Sequence, residues 1–250
     1  MGQVPAATRA LRVLRYLATQ PEAVTLDRLA AAVGLPRSTA YHLVATMIEE
    51  GFVVHLADEH RYGLGVAAFE VGSGYTRQEP LQRIARRPLT LLVDELRQSA
   101  HLAVLHGRDV LYVLEERAPG RPPLVTDVGV RLPAHLTASG RAILAALPAA
   151  QIRALYPDRA AFVDRHGGGP GSPTALRTLL SDTRQRGYAM EDGEVTPGFA
   201  SVAAAVSDHT GHPVAGVAVT YPADAVADPA PVALATRRTA RALTSRLRGR

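Results

Sequence analysis

The sequence predicts an α+β protein in two parts, on three observations. Residues 9–51 hold three short amphipathic segments in close succession. A pair of alternating apolar stretches around a polar turn follows directly. From residue 80 onward, period-two and helical patterns mix, with hairpins rather than regular strand–helix alternation. At 250 residues, 47% hydrophobic and 20% charged, the chain has material for one large domain or two small ones.

The first segment, "ATRALRVLRYLATQP", places Ala10, Leu11, Leu14, Leu17 and Ala18 on one helical face, with Arg9, Arg12 and Arg15 off it, and ends at Pro21. The second, "VTLDRLAAAVGL", opens on Thr25 as N-cap, carries Leu26, Leu29 and Val33 at helical spacing, and closes on Gly34 in the left-handed C-cap position. Leu35 alone separates it from Pro36, in the first turn of a third helix. That helix carries Leu43, Val44, Met47 and Ile48 inward and stops at Gly51. Phe52–Leu56 then reads as a strand, "ADEH" as a turn and Arg61–Leu64 as the returning strand. Helix, tight turn, helix and hairpin together make a winged helix-turn-helix.

"VAAFEVGSGYTRQ" follows as a connecting helix, weakened by Gly72 and Gly74 and ended by Pro80. A helix over Leu81–Ser99 is expected to be interrupted at Pro88. "HLAVLHGRDVLYVLEE" gives two strands around a turn at Gly107–Asp109. "TASGRAILAALP" is a short capped helix and "GGGPGSP" a loop. "TALRTLLSDTRQRG" is a helix closed by Gly187. "SVAAAVSDHTGHPVAGVAVTYP" is a second hairpin around Asp208–His212, and "ALATRRTARALTSRLRGR" a final amphipathic helix. The second part is therefore expected to be built on an antiparallel sheet.

Composition removes several classes of chemistry. There is no cysteine, hence no disulfide, thiol nucleophile or thiolate metal site. The nucleophile elbow of a serine hydrolase is absent, and Ser139 near His135 lacks that context. The pairs His101/His106 and His209/His212 have no third ligand at a convincing spacing, so no metal and no cofactor are expected. No apolar run approaches the roughly 18 residues of a membrane span. The N-terminus lacks a signal-peptide core, which points to the cytoplasm.

The net charge is +5, and every fixed positive charge is Arg, which suits phosphate and carboxylate recognition but equally reflects the base composition of a gene. Within residues 1–64, six arginines (9, 12, 15, 28, 37, 61) balance six acids (22, 27, 49, 50, 58, 59). Bulk charge thus gives no argument for nucleic-acid binding; local pattern does. With Ala40, Leu43, Val44 and Met47 inward, the third helix turns Arg37, Ser38, Tyr41, His42 and Ala45 outward. Ser38, Thr39 and Tyr41 can donate to phosphates or base edges, and the helix N-terminus favours phosphate. Arg37 can read guanine or hold the backbone. Tyr41 has packing on the turn as its other reading. Arg61, on the wing, is positioned for a phosphate or the minor groove. These six residues, Arg37, Ser38, Thr39, Tyr41, His42 and Arg61, are the candidate DNA contacts.

Four stretches in order, "LPRSTAYHLVATMIEEGFV" with "RYGLG", "LPAHLTASGRAILAAL", "RGYAMEDGEVTPGFASVAAAVSD" and "HPVAGVAVTYP", resemble the IclR-type (isocitrate-lyase-regulator) family of bacterial transcription factors over nearly the whole chain. The resemblance implies a winged helix-turn-helix over residues 1–64, a linker helix over 65–80 and a GAF-like effector-binding domain with an antiparallel sheet over 81–250. It implies that Ala138, Ser139 and Gly140, capped by Thr137, present backbone N–H groups to a small ligand, often a carboxylate. The positions matching other pocket residues of relatives are Glu191, Ser201, Ala218 and Thr220. Ser201 replaces a cysteine and Ala218 a hydroxyl of some relatives, Ala205 stands for a proline, and His42 stands where relatives often carry Arg. The effector and the base preference therefore differ from those of the best-known members. Glu194 matches a frequent acid of the family, and Leu132 and His135 are placed at the pocket border, His135 alternatively as a half-buried core histidine.

The implied function is a DNA-binding regulator controlled by a small organic or aromatic acid. It would bind a palindromic double-stranded operator as a homodimer or tetramer, because a near-neutral head needs two copies to neutralise enough phosphates. The competing classes are a GAF-like metabolite-binding enzyme and an interaction module without DNA binding.

Overall fold

The computed structural model describes residues 4–78, 80–120 and 124–248. They divide into two compact units, Met1–Glu79 and Pro80–Arg250.

In the first unit, α1 (Pro5–Ala18), β1 (Val24–Thr25), α2 (Leu26–Val33) and α3 (Arg37–Glu49) precede a hairpin of β2 (Val53–Leu56) and β3 (Arg61–Leu64), and α4 (Val66–Gln78) follows. The capping chemistry explains the close helix spacing. Thr25 Oγ1 accepts from the Arg28 amide at 3.4 Å. Gly34 takes φ 69°, and the Leu35 amide returns to the Ala30 carbonyl at 2.9 Å, so the chain reverses in two residues. Pro36 is the N-cap itself, and α3 begins at Arg37. β3 pairs antiparallel with both β1 and β2. The wing turn is a 3-10 turn over Ala57–Glu59, closed by His60 at φ 52°.

The core of this unit is Val13, Leu17, Leu29, Ala40, Val44, Met47, Val53 and Tyr62. Its helical faces differ from the sequence reading at three positions. Leu11 is 60% exposed and Ala18 is exposed, because α1 buries Val13 and Leu17; Leu11 lies two residues, about 200° of helix rotation, from Val13. Ile48, next to the buried Met47, is 37% exposed.

The second unit contains α5 (Pro80–Leu96), β4 (Ser99–His106), β5 (Asp109–Glu116), β6 (Arg131–Pro133), α6 (Ala138–Ala146), α7 (Ala149–Leu155), α8 (Pro173–Arg186), β7 (Ala189–Asp192), β8 (Phe199–Ser207), β9 (Pro213–Pro222) and α9 (Ala230–Leu247). One six-stranded antiparallel sheet runs in the order β6-β5-β4-β9-β8-β7. Both of its faces are covered. Leu89 and Leu92 of α5 and Leu243 of α9 pack with Leu102, Val202 and Val217 on one side. Ile143 and Leu144 of α6 and Leu176 and Leu180 of α8 pack with Ala103, Val110 and Tyr112 on the other. Where α6 crosses the centre of the sheet, the contact is almost all methyl groups: Ala138, Ala142, Ala189, Ala203 and Ala218. The approach is so close that a Cβ on Gly216 of β9 would lie 2.7 Å from the Ser139 carbonyl oxygen. The start of α6 is thereby pinned onto the strands.

Pro88 does not interrupt α5, which is one helix from Pro80 to Leu96. A proline cannot donate to the carbonyl four residues back, here Ile84. Arg246 of α9 donates its Nη1 to that carbonyl at 3.2 Å. The rescue comes from 162 residues away, out of reach of local pattern. No described helix is long and apolar enough to cross a membrane.

Candidate functional sites

The leading turns of α3 form one wall of a concave surface in the first unit. Arg37, Ser38, Tyr41 and His42 line it from α3, Thr25 and Asp27 from the start of α2, and His55, His60 and Tyr62 from the hairpin. Tyr41 is 55% exposed, and its ring sits edge-on to His42. Thr39 is half-buried. Arg37 is ion-paired with Asp27, both largely exposed. Arg61 is held at the wing base: Nη1 donates to the Ala23 carbonyl at 3.3 Å and faces Glu22 at 3.5 Å, with Glu59 3.9 Å from Nε. The sequence reading missed His55, His60 and Tyr62. The signal for His55 lay in the strand register, which sets it opposite Tyr62, where the two rings stack at 4.6 Å.

The second unit holds a small, partly open cavity of about 20 Å³ between the start of α6 and the strands. The register of three adjacent strands builds its polar wall, since Glu191 of β7 is opposite Ser201 of β8, which is opposite Thr220 of β9. Ser201 Oγ donates to Glu191 Oε1 at 2.7 Å and lies 2.9 Å from Thr220 Oγ1. Tyr112 of β5, Thr137, Ala138 and Ser139 at the start of α6, Ala218, and the loop carrying Leu124, Val125 and Thr126 also line it, with Val195, Thr196 and Phe199. His101, fully buried, holds that loop through a 2.8 Å hydrogen bond between its Nε2 and Thr126 Oγ1.

Glu191 is 4% exposed. Burial raises its pKa from 4.5 to about 7; the Ser201 bond opposes the rise and the charge of Glu194 adds to it. Burial first, and then the charge of Glu191, push the Tyr112 hydroxyl above its ordinary value, with Ser139 and Thr137 opposing the rise, so it stays protonated. Two buried atoms in this wall, Glu191 Oε2 and Ser139 Oγ, have no hydrogen-bond partner among the described residues. Beside them the first amides of α6, at Ala138 and Ser139, precede the point where helical carbonyls become available. The cavity therefore offers an amide-rich positive end and a protonatable acid in one small volume.

Six of the seven candidate effector residues, Ala138, Ser139, Glu191, Ser201, Ala218 and Thr220, meet in this cavity. Gly140 does not line it. Its amide donates to Thr137 Oγ1 at 3.0 Å, and a Cβ there would lie 2.2 Å from the Ala134 carbonyl oxygen. Leu132 packs in the core under α6 and α8. His135 bonds the Val163 carbonyl at 2.9 Å and packs against the Tyr156 and Phe162 rings. Tyr112 and Thr126 were not anticipated, nor was Arg141. That arginine is 3% exposed and donates to the His135 carbonyl, the Met190 carbonyl and Glu194 Oε1 at 2.8, 2.6 and 2.8 Å. Glu194 is thus its ion-pair partner rather than a free acid. The described residues hold no group of three or more His, Asp or Glu able to take a metal ion.

Comparison with known proteins decides the family. The model of the IclR helix-turn-helix domain matches residues 6–57, and that of the bacterial transcriptional regulator IclR C-terminal domain matches residues 73–244. The chain belongs to the IclR family. Family members are regulators that join a DNA-binding helix-turn-helix to an effector-binding C-terminal domain, and this chain is one of them. It is 30% identical over 229 residues to the transcriptional repressor IclR of Escherichia coli K12, covering 91% of this chain and 83% of that one. It is 34% identical over 212 residues to the glycerol operon regulatory protein of Streptomyces coelicolor, covering 85% and 82%. An IclR homolog from Microbacterium hydrocarbonoxydans, solved with 4-hydroxybenzoate, shares the fold with a TM-score of 0.80 at 23% identity, over 98% of this chain and all of that one. These relatives are named as repressors and regulators, not as enzymes.

Proposed function

We propose that the regulator binds a palindromic operator as a dimer or pair of dimers, with residues 1–64 as the DNA head, 65–80 as a linker and 81–250 as the effector domain. It works in the cytoplasm. Arg37, Ser38, Thr39, Tyr41, His42 and Arg61 are the contacts, α3 entering the major groove. The exposed leading turn of α3, facing the same concave surface as the hairpin, supports this reading. Arg37 then exchanges Asp27 for a phosphate or guanine, and Arg61, kept at the wing base by the Ala23 carbonyl, exchanges Glu22 and Glu59 for a phosphate. In a gel-shift assay Arg37→Ala and Ser38→Ala are each expected to weaken operator binding about tenfold, from about 1–3 kcal/mol per contact; unchanged affinity would remove α3 as the reading element.

The effector is a small organic or aromatic acid that also carries a hydroxyl or other donor. The observation that carries this is the pair of unpartnered buried atoms, Glu191 Oε2 and Ser139 Oγ, at one cavity. A carboxylate suits the α6 amides, and a donor suits Glu191. The relative bound to 4-hydroxybenzoate carries both groups on one small molecule. Binding shifts the balance between dimer arrangements with different head spacing, through unequal affinity for them. Thermal-shift screening of hydroxylated and plain carboxylic acids is the test. Stabilisation by no acid at millimolar concentration rejects the assignment.

Glu191 also sets a pH signature. Its proton leaves the unfolded chain near 4.5 and the folded chain near 7, so the folded state holds the extra proton between these values. Stability contributed at this site is full below 4.5 and falls as pH rises through 7. Glu191→Gln is expected to flatten this slope and to melt at higher temperature than the parent at pH 8. Identical melting profiles of the two proteins from pH 5 to 8 would contradict the assignment.

A further inference from the structure

We infer that the second unit carries another small-molecule site, a cleft between α6, α8, β8 and α9 that binds an organic anion with a compact apolar body. The cleft is open to solvent on one side and has a volume of about 290 Å³, at the lower end of small-molecule sites. It lies across the alanine contact from the effector cavity. Ala138 and Ala218 of that contact face the cavity, whereas Ala142, Ala189 and Ala203 face the cleft. The floor is methyl groups from α6, β7, β8 and α9, and Tyr188 adds one aromatic wall.

Three arginines, Arg184, Arg237 and Arg241, line the cleft, and no acid does. Among the described residues none of the three has a carboxylate within ion-pair distance. One of the three is held in place by backbone, and a second lies close over it. Arg184 Nε donates to the Ala145 carbonyl at 2.6 Å, which uses one of five donors and leaves the rest of the fork free. The Arg237 guanidinium lies over Gly187, where a Cβ would come within 3.0 Å of it; Gly187 is also the left-handed C-cap of α8 at φ 77°. Capping of the helix ends explains one donor of Arg184, not the convergence of three planar forks above an apolar floor. Pre-positioned guanidinium groups lose less freedom on binding and match a carboxylate or phosphate in two-point geometry. The apolar floor selects against a bare ion in favour of one carried on a ring or short hydrocarbon.

The site extends the regulatory reading, because α6 serves both compartments: its first turn lines the cavity, and Ala142, Ala145 and Ala146 line the cleft. A ligand in the cleft bears on the helix whose amides hold the effector, and any coupling is reciprocal.

Calorimetric titration of the full chain with benzoate, phenyl phosphate and inorganic phosphate tests the cleft. The expected result is saturable binding of benzoate or phenyl phosphate, with phenyl phosphate at least tenfold tighter than inorganic phosphate. Arg237→Gln/Arg241→Gln should weaken it at least tenfold, and so should Ala146→Phe, which fills the cleft from an exposed position. Thr220→Val, in the effector cavity, should leave it unchanged. No binding at millimolar concentration, equal affinity for phosphate alone, indifference to the arginine changes, or loss in Thr220→Val would each overturn the proposal. The first three outcomes leave the effector reading intact, and the last assigns the ligand to the effector cavity.

Discussion

Arg141→Met should destabilise the effector-binding unit by about 3–5 kcal/mol, the cost of removing one partner from a buried ion pair. Arg141 joins three separate pieces of chain: the loop before α6 at His135, strand β7 at Met190, and the segment after it at Glu194. Methionine fills much of the volume but donates nothing. Two carbonyls and a carboxylate that is 13% exposed are then left without their donor. Glu194→Gln keeps an acceptor and should cost about 1–2 kcal/mol, in the range of a weakened charged hydrogen bond. Urea unfolding followed by circular dichroism gives both numbers, and a loss below about 1 kcal/mol for Arg141→Met would show that the arginine does not tie these three pieces together. The double variant Arg141→Met/Glu194→Leu should recover part of the loss, since no buried charge is then orphaned.

Gly65→Ala should abolish high-affinity operator binding while the C-terminal unit keeps its melting temperature. The added Cβ would lie 2.2 Å from the Gly51 carbonyl oxygen and 3.0 Å from the Gly51 carbonyl carbon and the Val53 amide nitrogen. All three are backbone atoms, so no side-chain rotation relieves the clash. Either the end of α3 or the first residue of β2 must move, at roughly 1–3 kcal/mol or more. That displaces the wing relative to the helix beside it. Gly72→Ala, where a Cβ meets nothing within 4 Å, is the control, expected to be neutral or slightly stabilising within α4. Operator affinity in Gly65→Ala within threefold of the parent would mean that the wing plays no part in binding.

Features written in local chemistry were legible in the sequence. Thr25, Gly34 and Thr137 announce helix ends through single hydrogen bonds or one backbone angle, and the hairpins declare themselves by alternation. Helical faces were harder: α1 has leucines on more than one side, and packing chose the face of Val13 over that of Leu11. Strands β6 and β7, three and four residues long, carry too little periodicity to be seen alone. Of the effector cavity, the residues carried by family-like stretches were found. Tyr112, Thr126 and Arg141 come from positions whose part depends on partners 25 to 53 residues away. The continuity of α5 through Pro88 depends on Arg246 for the same reason.

The alanine contact under α6 restricts how this regulator could be retuned to a new metabolite. A methyl against a methyl leaves no slack, so enlarging Ala138 or Ala218 would lift α6 off the strands. The lining that does not belong to this contact lies at Tyr112 and along the segment bearing Leu124, Val125 and Thr126. Libraries aimed at new specificity therefore belong there, with the α6 side left untouched.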